Sequence, residues 1–534
     1  MNPFRVLHRL TRRLPADERA QRMHAALLPL RASPGAPDAA RVTVQCVQDS
    51  HYLALFTHLI HALRQRTALR VELFVPRSFD AAIGTGWKLS LLRAFPLGRL
   101  QSDQWVRLYE VLSKRVGYRS SSLDHPLGDL VDAWRSWRLW RRLESADALE
   151  AVVIDGVPCG DLVIDSYLRF RPSPRVNLDD PFLALVLWQA HRDVRRARRY
   201  FRRARPVLYL TSYTTYVQHG VAARVALQEG VRVFSFGNFQ EFGKRLSTDD
   251  SYHTRNTLHY RRDFEQLGDP APLLQEARRQ LETRLSGGID TATAYMAASA
   301  YRETTQKVPD ARGAVVIFLH DFYDSPHVYA DLVFPDFWEW ICFTVETLRA
   351  AGIRFLVKPH PNQIALSDRV IDELKQRFPE LELISPAVTN RQLVDAGMAC
   401  AVTVYGTVAH EMAYLGVPAI ACARHPHIAF DFCRTARSRA EYAELLRCAT
   451  TEQAYDREAM RSQVLQFYVM HNLGSPAPER ELRDALIASW MKCHDDDAPP
   501  AAIVQAFETM ASLGGFETFV GRLLRDPPLQ RVCQ

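Results

Sequence analysis

The segment FLVKPHPN at 355–362 sets a lysine and a histidine, each just before a proline, at the end of an apolar run. Proline fixes its own φ and biases the preceding residue towards extended backbone. In extended backbone, residues two apart point the same way, so Lys358 and His360 are expected to share a face. A compact ammonium beside an imidazole suits a phosphate or a carboxylate. Asn362 adds a further hydrogen-bonding side chain. The chain has only seven lysines among 67 basic residues, so a lysine at 358 departs from a strong arginine habit.

Three other segments offer chemistry. At 405–411, Tyr-Gly-Thr runs into a helical pattern. Gly406 lets a ligand approach the backbone, and Thr407 is placed to cap the helix. The free N–H groups of a first turn favour an anion. His410 and Glu411 fall in that turn, His410 suited to a phosphate and Glu411 to ribose hydroxyls. At 320–327, HDFYDSPH supplies Ser325 and His327 as further hydrogen-bonding groups for a phosphate. The same segment mixes hard and imidazole ligands in His320, Asp321, Asp324 and His327, but its spacing matches no strong metal motif, and no metal site is expected. At 49–51, Asp-Ser-His follows an apolar run. Asp49 and His51 are candidate general bases for an acceptor hydroxyl, with a helix cap as the competing role for Asp49.

These segments need strands to hold them. Short apolar runs at 41–47, 71–75, 152–155, 207–210, 231–236, 315–319, 354–357, 381–384, 399–404 and 417–422 alternate with helical patterns, the signature of parallel α/β sheets. Each candidate loop follows a strand, at the edge where open α/β sheets bind ligands. The expected divisions are a 1–40 appendage and linker, a 41–270 α/β lobe with a helical insert, a 271–310 connector, a second α/β lobe at 311–450 and 451–534 C-terminal helices. Trp134, Trp137 and Trp140 sit at helical spacing and read as packing residues.

With 534 residues and 47% hydrophobic content, the chain can bury more than one core. It contains no 18-residue apolar run and no secretory signal pattern. Nine scattered cysteines without a CxxC pair indicate reduced thiols, and neither disulfides nor a zinc site are expected. The +7 charge is concentrated between Arg192 and Arg205. That run reads as a solvated helix face or as a surface for anionic lipid. No nucleic-acid motif accompanies it, so no nucleic-acid partner is expected. The 4–14 segment has helically spaced apolar residues that could lie on a membrane. The expected location is cytoplasmic, peripheral on the inner face of the membrane.

KPHPN at 358–362 together with TVYGTVAHEMAYLGVPAI at 403–420 resembles the C-terminal lobe of bacterial GT-B glycosyltransferases of capsule and surface-polysaccharide assembly. These are relatives of the Kdo- and sialic-acid-transferring enzymes that carry a His-Pro motif. The pattern is shared more loosely with UDP-GlcNAc 2-epimerases. The resemblance spans about 150–450. It implies two doubly wound Rossmann-like lobes with a cleft between. It also implies a nucleotide-sugar donor as co-substrate with no separate cofactor, a polysaccharide or lipid-linked glycan acceptor, and metal-independent transfer. Lys358 and His360 would meet the donor phosphate, supported by Thr407, and Glu411 the ribose or base. Gly406-Thr407 stands where the Kdo and sialyl enzymes carry a serine pair, so CMP-, UDP- and CDP-linked donors all stay open. A 2-epimerase, a CDP-polyol phosphotransferase and a non-catalytic polysaccharide-binding assembly factor are the alternatives.

Overall fold

The computed structural model describes residues 18–31, 38–76, 104–120, 125–171, 173–238, 240–248, 255–293, 307–360, 363, 365–451, 456–495 and 497–525. The 4–14 segment and Asn362 lie outside these. In chain order the strands are β1 (Ala40–Gln45), β2 (Leu69–Val75), β3 (Val116–Arg119), β4 (Val153–Ile154), β5 (Val157–Pro158), β6 (Leu208–Thr211), β7 (Arg232–Ser235), β8 (Lys244–Arg245), β9 (Val315–Phe318), β10 (Phe355–Lys358), β11 (Cys400–Val402), β12 (Ala419–Ala421) and β13 (Cys433–Thr435). They belong to two compact units. The first comprises residues 1–172, 177–253 and 476–534, and the second 173–176 and 254–475.

The first unit holds a six-stranded sheet in the order β3-β2-β1-β6-β7-β8, parallel except for β8. The strand order reverses between β1 and β6, which makes their C-terminal ends a topological switch point. The helix Ser50–Arg66 follows β1 and buries Leu53, Phe56, Leu59, Ile60 and Leu63 at helical spacing. Its last turn carries Arg64 and Arg66 against the negative helix end. The C-terminal helices Ala477–His494, Pro500–Ser512 and Gly514–Arg525 pack Leu482, Leu486, Phe507 and Phe519 into the same core as Val44 and Phe56. They therefore complete the first unit instead of forming a separate segment. Glu18–Leu27, within the expected appendage, does likewise through Ala20, Met23 and Leu27.

The second unit holds five parallel strands in the order β10-β9-β11-β12-β13, with Leu383 bridged to Val357 beyond β10. Its switch point lies between β9 and β11. One face packs Phe337, Trp340 and Ile341 of the helix Phe337–Ala350 against Val315, Ile317 and Val402. The other packs Met412, Val464 and Phe467 against Val316 and Ala401. Both units are thus doubly wound α/β, as the alternation of strand and helix patterns required. Among the described residues no helix is long and apolar enough to cross a membrane.

The arginine-rich run corrects one expectation. It ends the helix Pro181–Ala204, and most of its cations are paired within the unit. Arg192, Arg195 and Arg196 reach Asp129 at 3.1, 2.6 and 2.8 Å, and Arg195 also meets Asp132 at 2.7 Å. Arg198 and Arg202 meet Glu229 at 3.4 and 3.0 Å. These charges hold helices together, which leaves little of the run for lipid. Asp129 and Asp132 come from the helix Pro126–Trp140, whose outer side corrects a second expectation. Trp134 and Trp137 are 53% and 54% exposed instead of packed, while Trp140 donates Nε1–H to Leu178 O at 2.5 Å.

Candidate functional site

Three candidate loops of the second unit follow the adjacent parallel strands β9, β10 and β11. The first and third are joined directly. His320 Nε2 lies 3.1 Å from Thr403 Oγ1 and accepts Val404 N–H at 3.4 Å. Thr403 Oγ1 in turn accepts Gly406 N–H at 3.2 Å. An imidazole nitrogen that takes both a hydroxyl and an N–H is unprotonated. Burial agrees, because it pushes the His320 pKa down to about 3. The ring stacks on Phe337 at 4.7 Å and contacts Tyr405 at 4.5 Å. His320 is therefore a neutral post that shapes the 403–406 turn. A side chain at Gly406 would place Cβ 2.7 Å from Thr403 Oγ1, so this close turn needs glycine. Tyr405 O–H donates to Ser325 O at 3.2 Å and ties the 320–327 loop to the same turn.

Lys358 ends β10 and is buried. Burial lowers its pKa to about 8. Its Nζ donates to Asn390 Oδ1 at 2.8 Å. Asn390 opens the helix Asn390–Asp395, whose start is fixed by a capping box between Thr389 and Gln392. Asn390 Nδ2 donates to Glu411 Oε2 at 3.1 Å, and Arg284 Nη2 reaches Glu411 Oε1 at 3.0 Å. Arg284 Nη1 lies 3.8 Å from Asp290, which accepts the Tyr468 hydroxyl at 2.5 Å. A buried polar chain thus runs from Lys358 to Tyr468. Burial raises the Glu411 pKa to about 7, against the lowering effect of Arg284.

Burial bears on two expected roles. Glu411 is 3% exposed and committed to Arg284 and Asn390, so in this structure it braces Lys358 instead of facing a ribose. His410 is 3% exposed and packs on Phe467 at 5.1 Å, so the structure places it in an aromatic cluster. Thr407 is exposed, and its side chain makes no capping bond to the helix Val408–Tyr414. Gly406 and His360 are half-buried at the same edge. Burial lowers the His360 pKa, while the carboxylates of Asp321 and Asp324 oppose that shift. Ser325 is buried and His327 half-buried. The mixed ligands at 320–327 have other partners, since Asp321 Oδ1 accepts from Ser367 Oγ at 2.8 Å and from Tyr323 N–H at 3.0 Å.

In the first unit, Asp49 caps the helix Ser50–Arg66 by accepting His51 N–H at 2.7 Å. It also lines a cavity of about 570 Å³ with Arg19, Arg22, Gln48, Trp105 and His494. His494 Nε2 lies 3.7 Å from Asp49 Oδ2. Burial pushes the Asp49 carboxyl up, but His494 and the His51 N–H outweigh it and hold the group below its ordinary value. Asp49 in turn raises the His494 pKa. His51 does not share this cavity. It is 1% exposed, wedged against Tyr52 and Phe507, and burial drops its pKa to about 4. His51 is therefore a core residue, and Asp49 and His494 are the paired titratable groups of this edge.

Asn390, Arg284 and His494 were missed by the sequence. Each reaches its partner across a long stretch of chain, and none lies in the motifs at 320–327, 358–362 or 403–420.

No family model matches the chain, and no curated protein matches it by sequence. Among solved structures, KpsC, a beta Kdo 2,4 transferase of Thermosulfurimonas dismutans, aligns at 12% identity over 47% of this chain and 80% of its own, with a TM-score of 0.30. The UDP-GlcNAc 2-epimerase of Methanocaldococcus jannaschii aligns at 10% identity over 79% and 98%, with a TM-score of 0.25. The spinosyn rhamnosyltransferase SpnG aligns at 11% over 88% and 100%, with a TM-score of 0.21. At TM-scores of this size the function has to be argued from the residues themselves.

Proposed function

We propose that this chain is a nucleotide-sugar-dependent glycosyltransferase that extends a capsular or surface polysaccharide or a lipid-linked glycan. The observation that carries it is the grouping at the second unit's switch point. The Gly406–Thr407 turn, held by His320, shares one sheet edge with Lys358 and His360. The donor phosphates go there, with the Lys358 ammonium balancing the charge of the departing nucleotide. The acceptor side is assigned to the first unit, where Asp49, supported by His494, takes the proton of the attacking hydroxyl. The acceptor oxygen bonds to the anomeric carbon as the bond to the donor phosphate oxygen breaks.

A second observation favours a membrane-proximal acceptor and a peripheral site on the cytoplasmic face. Leu127, Leu130, Val131, Trp134 and Trp137 are all exposed along one side of the helix Pro126–Trp140. Exposed Arg138, Arg141 and Arg142 follow them. Aromatic and aliphatic side chains with arginines beside them suit an anionic lipid interface. This stripe replaces the arginines from Arg192 to Arg205 as the candidate lipid surface.

Thermal unfolding with CMP, CDP, UDP and GDP tests the donor site. A ligand at about 100 times its Kd stabilises by about 2.7 kcal/mol. The expected result is a shift with one nucleotide, lost in His360→Ala. No shift with any nucleotide would sink the donor site. Product analysis separates the main rival, because a 2-epimerase converts its nucleotide sugar without an acceptor.

A further inference from the structure

A second cluster of chemically capable side chains lies away from the donor edge, in the loop that joins β12 to β13. Pro426 separates His425 from His427 and biases His425 towards extended backbone, so the two imidazoles come from the same side of the loop. The loop is fixed by turns, with Ile428 N–H bonding His425 O at 3.1 Å and Phe430 N–H bonding His427 O at 3.0 Å. Cys433 then opens β13, paired with Ala419 of β12. This brings His425, His427 and Cys433 together, with one ligand-capable atom from each within 4.8 Å of the others.

The surroundings leave most of the imidazole nitrogens here without a partner. His425, His427 and Cys433 are 0%, 1% and 5% exposed. Neither nitrogen of His427 has a hydrogen-bond partner, and Nδ1 of His425 has none, its Nε2 being 2.6 Å from Thr435 Oγ1. The two rings stack at 3.7 Å, and His427 is enclosed by Phe432 at 5.1 Å and Phe467 at 5.6 Å. His410 approaches from the helix Val408–Tyr414, its ring 6.4 Å from that of His427, and both of its nitrogens also lack partners. Buried polar atoms normally find a partner. Five orphaned imidazole nitrogens gathered beside a thiol inside an aromatic shell are the pattern a metal ion would resolve.

We propose that His425, His427 and Cys433 bind one divalent zinc-class cation. Two imidazoles and one thiolate are a donor set suited to Zn²⁺, and Co²⁺ can substitute. On binding, the Cys433 Sγ–H bond is given up to the metal and one proton leaves to solvent. The enclosed position makes the ion structural. It fastens the loop after β12, which also bonds to the segment after the 320–327 loop through Val333 N–H to Cys422 O at 3.0 Å and Arg424 N–H to Ala330 O at 2.9 Å. The absence of any CxxC pair is why the sequence set zinc aside. The site has the spacing H-x-H-x5-C.

The test uses the full chain, stripped with a chelator, dialysed and titrated with Co²⁺ alone. The expected result is one cobalt per chain, with thiolate-to-metal charge transfer in the near ultraviolet and visible bands of tetrahedral intensity. Zn²⁺ should displace the cobalt and raise the Tm. In Cys433→Ser the charge-transfer band should vanish. In His427→Gln the affinity should fall by more than about 100-fold, since changes behind the ligands already cost about 10–100-fold. Circular dichroism checks that both variants fold, and the wild-type spectrum decides the matter even where they do not. Wild-type protein that takes up no cobalt, or a charge-transfer band that survives in folded Cys433→Ser, would overturn the proposal.

Discussion

Glu411 sits where two effects compete, and its pH response separates them. Burial disfavours the carboxylate, and Arg284 at 3.0 Å favours it. The structure makes burial the stronger, so that the pKa rises from 4.5 to about 7. A group whose folded pKa lies above its unfolded value stabilises fully below the unfolded pKa. That contribution is lost as pH rises through the folded one. Between pH 4.5 and about 7 the folded chain holds the extra proton. At about 1.36 kcal/mol per pH unit the loss across this window is about 3 kcal/mol. Glu411→Gln removes the titration and keeps the shape. The stability of wild type minus that of Glu411→Gln should therefore fall by about 3 kcal/mol from pH 4.5 to pH 8. Urea unfolding followed by hydrogen exchange in peptides covering 405–415 reads this in the second unit, without interference from the first. A difference that is flat with pH would refute the argument. A difference that rises with pH would refute it more sharply, because the Arg284 ion pair would then outweigh burial.

Three further outcomes are expected. Lys358→Met should weaken nucleotide binding by about 10–100-fold, the worth of a hydrogen bond to a charged group at about 1.5–3 kcal/mol, and calorimetric titration with the responding nucleotide checks it. Gly406→Ala should drive Cβ into Thr403 Oγ1, 2.7 Å away, and break the turn that His320 holds. Its nucleotide-dependent thermal shift should shrink far more than its ligand-free Tm, and equal losses would mean the turn is only structural. Trp134→Ser with Trp137→Ser should abolish flotation with anionic vesicles while leaving the Tm within a few degrees, because both rings are more than half exposed.

Strand–helix alternation made most strands of the two parallel sheets legible, because period and punctuation are local, but the 152–155 run pairs antiparallel with β5 outside both of them, and β3 carried no such signal. The 354–357 run was misplaced by one residue against β10, Phe355–Lys358. Likewise the switch-point loops could be found, since each is a turn after an apolar run. Partners were not legible. Lys358 stood out by composition, yet what positions its ammonium is Asn390, held in turn by Glu411 and Arg284, and Arg284 lies in what reads as a connector helix. His410 and Glu411 looked alike as first-turn polar residues. Only packing separates them, one into an aromatic cluster and the other into an ion pair. The arginine run shows the same limit from the other side. Charge density on a helix says nothing about whether Asp129 and Glu229 wait opposite, and here they do.

The buried chain from Lys358 to Tyr468 also bears on how such a site tolerates change. Lys358 is held by a neutral amide, Asn390, and not by a carboxylate. A direct ion pair would quench the ammonium that a phosphate needs. An amide orients it and leaves its charge largely available. The carboxylate stands one step further on, where burial has already raised its pKa to about 7 and Arg284 balances what charge remains. A substitution at Arg284 should therefore reach the donor edge through two hydrogen bonds without touching a ligand. Asn390→Asp should do the opposite of a conservative change, by placing a full negative charge 2.8 Å from Lys358 Nζ and weakening phosphate binding while stabilising the ammonium.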